Sequence, residues 1–173
     1  MIKHTLWAPS CIHEGAIEHE EEEFDKYIAL ALKKKWEVFP IGDLLNCGLC
    51  AGTRHIESIW QDKINVQKQL DKIVAKLKPI KSQILGMVRG NHEDRIYKVT
   101  SLELVKIVAD ELKVPYYNYS KTIDWHGKKV FLSHGRGRGF SDFEKIIKQF
   151  DNIDIVILGH SHEWFHLPLV KTR

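Results

Sequence analysis

The apolar run Asp154-Ile155-Val156-Ile157-Leu158 stops abruptly at Gly159-His160-Ser161-His162, which sets two imidazoles two residues apart directly after a strand-like segment. β-Branched residues bounded by turn chemistry fit a strand covered on both faces, and Gly159 permits a sharp exit into a loop. Side chains two apart share a face in a continuing strand but diverge on a loop, so His160 and His162 can each reach a different metal ion. Taken alone, the segment fits a histidine-rich loop facing solvent equally well.

Three other stretches repeat the pattern of an apolar run that ends in Gly or Ser and then a metal-binding residue type. They are Val38-Phe39-Pro40-Ile41-Gly42-Asp43, Ile84-Leu85-Gly86-Met87-Val88-Arg89-Gly90-Asn91-His92 and Val130-Phe131-Leu132-Ser133-His134. Ligands of open α/β sheets gather at the carboxyl ends of the strands, so residues distant in sequence converge on one rim. One shared site is the economical explanation.

Gly42-Asp43, Gly90-Asn91-His92, His134 and Gly159-His160-Ser161-His162, in this order, resemble the signature of the calcineurin-like metallophosphoesterases. The first motif of that family is Asp-x-His. The corresponding place here, after the first strand, reads Ser10-Cys11-Ile12-His13-Glu14-Gly15, so His13 fits and Cys11 departs. The RNA lariat debranching enzymes, a branch of that family that cleaves nucleic acid, are similar in having cysteine there.

The resemblance implies a two-sheet α-β-β-α sandwich. It also implies two divalent ions, Mn²⁺, Zn²⁺ or Fe²⁺, with Asp43 between them, one held by Cys11, His13 and His162 and the other by Asn91, His134 and His160. Hydrolysis of a phosphate ester needs hydroxide near neutral pH, neutralised phosphoryl oxygens and help for the leaving oxygen; two metals about 3.5 to 4 Å apart provide the first two. The neutral carbonyl of Asn91 leaves its ion more electrophilic than a second carboxylate would. His92 resembles the catalytic histidine of the family, which lies over the phosphoryl group and assists departure of the alkoxide. Arg95, Arg136 and Arg138 lie near the expected rim and are candidates for binding phosphate oxygens. Solvated arginines on a flexible loop are an equal reading of Gly135-Arg136-Gly137-Arg138-Gly139. Trp125, Trp164 and Tyr119 serve either as stacking platforms for a nucleotide or nucleic acid or as core.

The function expected is that of a metal-dependent phosphoesterase, with a phosphodiester, from a nucleotide or nucleic acid among other sources, ahead of a phosphomonoester. The alternative is a catalytically weakened member of the fold that serves as a protein-binding scaffold, with Cys11 as an early sign of decay. Retention of His13, Asp43, Asn91, His92, His134, His160 and His162 argues against it, since decay removes ligands without pattern.

The positioning elements follow from composition and periodicity. With 173 residues and 43% hydrophobic content, the chain (1–173) is expected to bury one core as a single domain. The N-terminus lacks a continuous apolar segment and no run reaches the length of a membrane span, so a soluble, cytoplasmic protein is expected. Three cysteines do not make a disulfide framework. Cys47-Gly48-Leu49-Cys50 lacks the second pair that a structural zinc site needs, and reads as incidental thiols near the site. The net charge of +3 permits an anionic substrate without indicating a nucleic-acid surface.

Residues 2 to 8 read as the first strand, closed by Pro9. A helix is expected from Glu20 to Lys35 with Phe24, Tyr27, Ile28, Ala31 and Leu32 inward; its acidic start and Lys33-Lys34-Lys35 finish complement the macrodipole. A second runs from Ile59 to Lys78 and stops at Pro79. Thr100 and Glu103 have capping-box spacing before a helix carrying Leu102, Val105, Val108, Ala109 and Leu112, and Ser141 and Glu144 repeat that spacing before Phe143, Ile146, Ile147 and Phe150. Strands over Pro115 to Tyr119, Thr122 to Trp125 and Lys128 to Ser133, with a turn at His126-Gly127, look like the start of the second sheet. Only Trp164 to Val170 remains to extend it, so the second sheet is expected to be shortened at the C-terminus and a partner copy in a homo-oligomer is a candidate cover for its edge.

Overall fold

β1 (Leu6–Trp7) ends ahead of Pro9 and pairs in parallel with β2 (Glu37–Val38). β3 (Met87–Val88) pairs in parallel with β4 (Tyr116–Tyr117), and parallel bridges Val38–Ile84 and Ile41–Val88 join the two pairs into one layer, in the order β1-β2-β3-β4. The computed structural model describes residues 4–48, 62–135, 143–146 and 152–162.

Pro40 lies inside this layer, where it lacks a ladder donor. The two bridges enclose one residue more on the β3 side than on the β2 side, a bulge at Gly86 opposite the proline. The flanking bonds survive: Leu85 N–H donates to Val38 O at 2.9 Å and Val88 N–H to Pro40 O at 3.1 Å. A Cβ on Gly86 would lie 2.7 Å from the ring of Tyr117, so the bulge needs glycine.

The second layer is β5 (Ser120–Trp125), antiparallel to β6 (Lys128–Ser133), which is parallel to β7 (Ile155–Leu158). His126 and Gly127 turn the hairpin with φ of 47° and 77°, the left-handed pair that matches strand twist.

Alternation along the strands divides the core in two. Phe39, Ile41 and Val88 face Val130 and Leu132 between the sheets. Val38 and Met87 face the other way, into a cluster with Ala31 of α1 (Glu21–Lys34), Ile73 and Leu77 of α2 (Val66–Leu77) and Val108 of α4 (Leu104–Leu112). On the outside of the second sheet, Phe131 shares a cavity wall with Ile146 of the helical segment 143–146. The chain is therefore a mixed α/β sandwich, helices outside and two sheets face to face. Among the described residues, no helix is long and apolar enough to cross a membrane.

Several boundaries differ from expectation for local reasons. α2 starts at Val66 because Asn65 caps it, its Oδ1 accepting Lys68 N–H at 2.9 Å. Thr100 does not open a capping box: it closes α3 (Asn91–Thr100), donating to Ile96 O at 2.8 Å, and Leu102 is left exposed. Tyr27 and Leu32 are also exposed on α1. Tyr116–Tyr117 belongs to the first sheet, since it pairs with β3. The expected strand Trp164 to Val170, and Ser141 of the last capping box, lie outside the described residues.

Candidate metal centre

Each described residue of the expected ligand set stands past the carboxyl end of a strand. Cys11 and His13 follow β1, Asp43 follows β2, Asn91 and His92 open α3 after β3, His134 follows β6, and His160 and His162 follow β7. Cys11, His13, Asp43, His160 and His162 all have φ between 50° and 73°. Five non-glycine residues in the left-handed region at one rim store backbone strain that the surrounding structure must hold, a common mark of a functional site.

The loops are locked to each other. Cys11 N–H donates to Gly42 O at 3.2 Å, His13 N–H to Asp43 O at 3.0 Å and Glu14 N–H to Leu44 O at 2.8 Å, so the loop after β1 rides on the one after β2. Glu14, fully buried, pairs with Lys72 at 3.1 Å and His19 at 3.2 Å, while Nδ1 of His19 meets Ile12 O at 2.8 Å. Asp43 lies at the N-terminus of α3, where Oδ1 accepts His92 N–H at 2.8 Å. Gly42 and Gly90 allow that approach: a Cβ on Gly90 would stand 2.1 Å from Asp43 Oδ1, and one on Gly42 2.6 Å from Gly90 N.

Three potential ligand atoms meet at the Asp43 carboxylate. His134 Nδ1 is fixed by Ile41 O at 3.0 Å, which turns Nε2 toward Asp43 Oδ2 at 3.0 Å and Asn91 Oδ1 at 2.9 Å. On the other side Cys11, His13 and His162 bring their ligand atoms within 4.8 Å of one another, as do Cys11, Asp43 and His134. Nδ1 of His13 is buried with no hydrogen-bond partner among the described residues. His162 stands beside His13 (5.5 Å between ring centroids) and His160 beside His134 (5.2 Å), so the two loop histidines diverge. Converging acceptors and an orphaned imidazole nitrogen fit divalent cations, which take such donors.

His92 is held differently. Its Nδ1 meets Asn46 O at 2.7 Å and its Nε2 faces Arg95 at 3.0 Å and Asp43 Oδ2 at 3.9 Å, with the His13 ring 4.3 Å away. A guanidinium in front of Nε2 disfavours ligation there.

The electrostatics follow from burial and Asp43. Burial alone would raise Asp43, but hydrogen bonding and charge from His134 outweigh it and hold the carboxyl at about 2. Burial and the neighbouring His92 lower His13 to about 4, and burial lowers His92. For His134 the bond to Asp43 overcomes burial and raises it. Burial raises the Cys11 thiol, against hydrogen bonds from Ser10 and from the His160 N–H.

Sequence reasoning missed two supports. Glu93, fully buried and raised to about 7 first by burial and then by Asp43, accepts the backbone N–H groups of Asp43, Leu45 and Gly90 at 3.1, 3.0 and 2.9 Å. Its position at the third helical residue, where a carboxylate reaches back to the cap, was the available signal. Ser10 Oγ lies 3.4 Å from Cys11 Sγ and 3.3 Å from His134 Nδ1, and nothing in its sequence context marks it. Other expectations resolve as packing. Trp125 donates to Glu37 at 2.8 Å and Cys47 is in the core, whereas Tyr119, which flanks Arg89, is exposed and lines the cavity beside Asn91 and His134. Arg136, Arg138, Cys50 and Trp164 lie outside the described residues.

Two cavities flank the centre. One of about 810 Å³ opens on the side of Cys11, His13, His92 and His162; the other, about 290 Å³, lies on the side of Asn91 and His134.

The model of the calcineurin-like phosphoesterases matches residues 4–164. The chain belongs to that family. As a calcineurin-like phosphoesterase it is a metal-dependent hydrolase of phosphate esters. An archaeal phosphodiesterase of known structure superposes with a TM-score of 0.58 at 17% identity, over 95% of this chain and 77% of that one, which shows the shared fold. The phosphoesterase Yfce from E. coli aligns at 18% identity over 78% of this chain and 59% of its own, with a TM-score of 0.45. No curated protein matches the chain.

Proposed function

We propose that this phosphoesterase hydrolyses phosphodiesters with two divalent ions, one held by Cys11, His13 and His162, the other by Asn91, His134 and His160, with Asp43 between them. The observation that carries the reading is Asp43: a carboxylate 2% exposed, anchored at Oδ1 by a helix N–H, with Oδ2 3.0 Å from His134 and a carboxylate oxygen within 4.8 Å of ligand atoms of Cys11 and of His13. When bound, the ions supply Lewis acidity at the phosphoryl oxygens and make water nucleophilic near neutral pH.

The residues of the chain do the rest. Asp43 balances the cations, and its placement is set by Glu93 and the α3 N-terminus. His134, pinned at Nδ1, presents Nε2 in one orientation, as ligating histidines usually do. His92, held by Asn46 and faced by Arg95, brings a proton or positive charge to the departing oxygen, and Arg95 serves as a phosphate-binding residue beside it. The cavities on both sides of the centre support a diester, which has two substituents to place, over a monoester, which has one. Nucleotides and nucleic acids are both within that class.

The test combines metal content by mass with hydrolysis of nitrophenyl mono- and diesters in Mn²⁺, Zn²⁺ and Fe²⁺, for the wild type and Asp43→Asn. The reading expects two ions per chain, faster diester hydrolysis, and loss of metal and activity together in the variant. Tight binding of two ions by Asp43→Asn would remove Asp43 from the bridging place.

A further inference from the structure

The larger cavity differs in character from what a polyanion requires. From the candidate ligands Cys11, His13 and His162 it runs to Trp7 and Phe24, with Glu18, Glu20 and Glu23 at its edge. Trp7 belongs to an aromatic group, its ring centroid 6.0 Å from Phe24, 5.9 Å from Tyr27 and 6.4 Å from Trp36, so the apolar wall is backed by rigid rings. Nearby glutamates have partners: Glu21 pairs with Lys72 at 2.8 Å and Lys76 at 3.1 Å, and Glu23 with Lys26 at 3.2 Å. Glu18 and Glu20 have no ion pair among the described residues, and both are exposed. No lysine or arginine lines this cavity among the described residues.

We infer that this cavity receives a flat aromatic substituent of the ester that carries no negative charge, and that Glu18 and Glu20 turn away substrates with a further phosphate there. The inference rests on the phosphodiesterase reading and narrows it, from phosphodiesters in general to small esters whose one phosphate sits at the metals, a single nucleobase being one fitting substituent. Stacking on Trp7 supplies attraction, which for a base on an aromatic side chain is worth about tenfold or more in affinity. Two carboxylates at the mouth, neither in an ion pair among the described residues, supply the repulsive half of the selectivity, strongest at low ionic strength.

The test uses the Mn²⁺-loaded full chain hydrolysing methyl nitrophenyl phosphate at low salt, with competitive inhibition as the readout. Benzylphosphonate is expected to inhibit about tenfold more tightly than methylphosphonate, and thymidine 5′-phosphate about tenfold more tightly than thymidine 3′,5′-bisphosphate. Glu18→Gln/Glu20→Gln, changes at exposed positions, is expected to abolish the penalty of the second phosphate while leaving the benzyl preference. Trp7→Leu is expected to abolish the benzyl preference. Equal inhibition by the two phosphonates, or tighter binding of the bisphosphate by the wild type, would overturn the inference while leaving the diesterase reading in place. No hydrolysis of any diester with any metal would overturn that reading itself.

Discussion

Glu93 reaches from the first turn of α3 to the backbone of Asp43, accepting its N–H at 3.1 Å through Oε2 while Oε1 accepts that of Leu45 at 3.0 Å. Asp43 has φ 50°, so its carboxylate points to the rim only while its backbone is held in an unfavourable region. Glu93→Gln keeps the size but sets an amide N–H against backbone donors. With a buried donor left unpaired, the variant is expected to lose about 1–3 kcal/mol, read as a lower urea midpoint at constant slope. Metal content should fall with it. Unchanged midpoint and metal content would show that Asp43 is positioned without Glu93.

Gly90 and Gly159 give a paired comparison. A Cβ at Gly90 would stand 2.1 Å from Asp43 Oδ1 and 2.4 Å from Asp43 N, a buried carboxylate and backbone that cannot give way. At Gly159 the nearest atoms are Ser10 Oγ at 2.0 Å, a hydroxyl that can rotate away from its contacts with Cys11 and His134, and Ser10 Cβ at 2.8 Å, which needs a smaller shift than the backbone and carboxylate at Gly90. Gly90→Ala is therefore expected to release metal to a chelator at concentrations where Gly159→Ala retains it. The reverse order would mean that the Ser10 contact constrains the centre more than Gly90 does.

The histidine at the α3 N-terminus is separable from the ligands. His92→Ala is expected to keep the wild-type metal content and slow turnover by about 10²- to 10⁴-fold, the usual span for a positioned proton donor. Metal loss in this variant would instead make His92 a ligand, as its nearness to His13 and Asp43 permits.

The candidate site was legible in the sequence because Asp43, Asn91, His134, His160 and His162 follow apolar runs whose strand ends converge without knowledge of the connections, whereas Cys11 and His13 stand out only through the resemblance to the first family motif. Support for the ligands was harder to see. Glu93 resembles an ordinary capping carboxylate, and its long-range bonds to Asp43 and Leu45 exist only after β2 and β3 become neighbours. α3 is hard to see in the sequence because Gly90-Asn91-His92 has loop chemistry, although a helix N-terminus uses the same residues. Tyr116–Tyr117 pairs with β3 and not with the second sheet expected from the sequence, since a two-residue strand has too little alternation to reveal its partner. The bulge at Gly86 likewise answers Pro40, which sits 46 positions earlier in the chain.

Cys11 is the one departure from the motif order, and it makes the sharpest prediction about the centre. Sγ lies 3.3 Å from the His160 N–H and 3.4 Å from Ser10 Oγ, and its group overlaps both candidate clusters, one with His13 and His162 and one with Asp43 and His134. Burial raises the thiol and favours its protonated form. Two adjacent divalent cations reverse that balance, because a coordinating thiol is deprotonated and then supplies the negative charge a carboxylate would. A softer sulfur donor favours Zn²⁺ or Fe²⁺ over Mn²⁺. Cys11→Asp is thus expected to stay active with its preference shifted toward Mn²⁺, and Cys11→Ala to weaken the binding of one ion while the other remains. Metal content and rates measured in parallel under reducing conditions check both, and wild-type values for both variants would leave Cys11 as a small packing residue, with His13, Asp43 and His162 holding the ion by themselves.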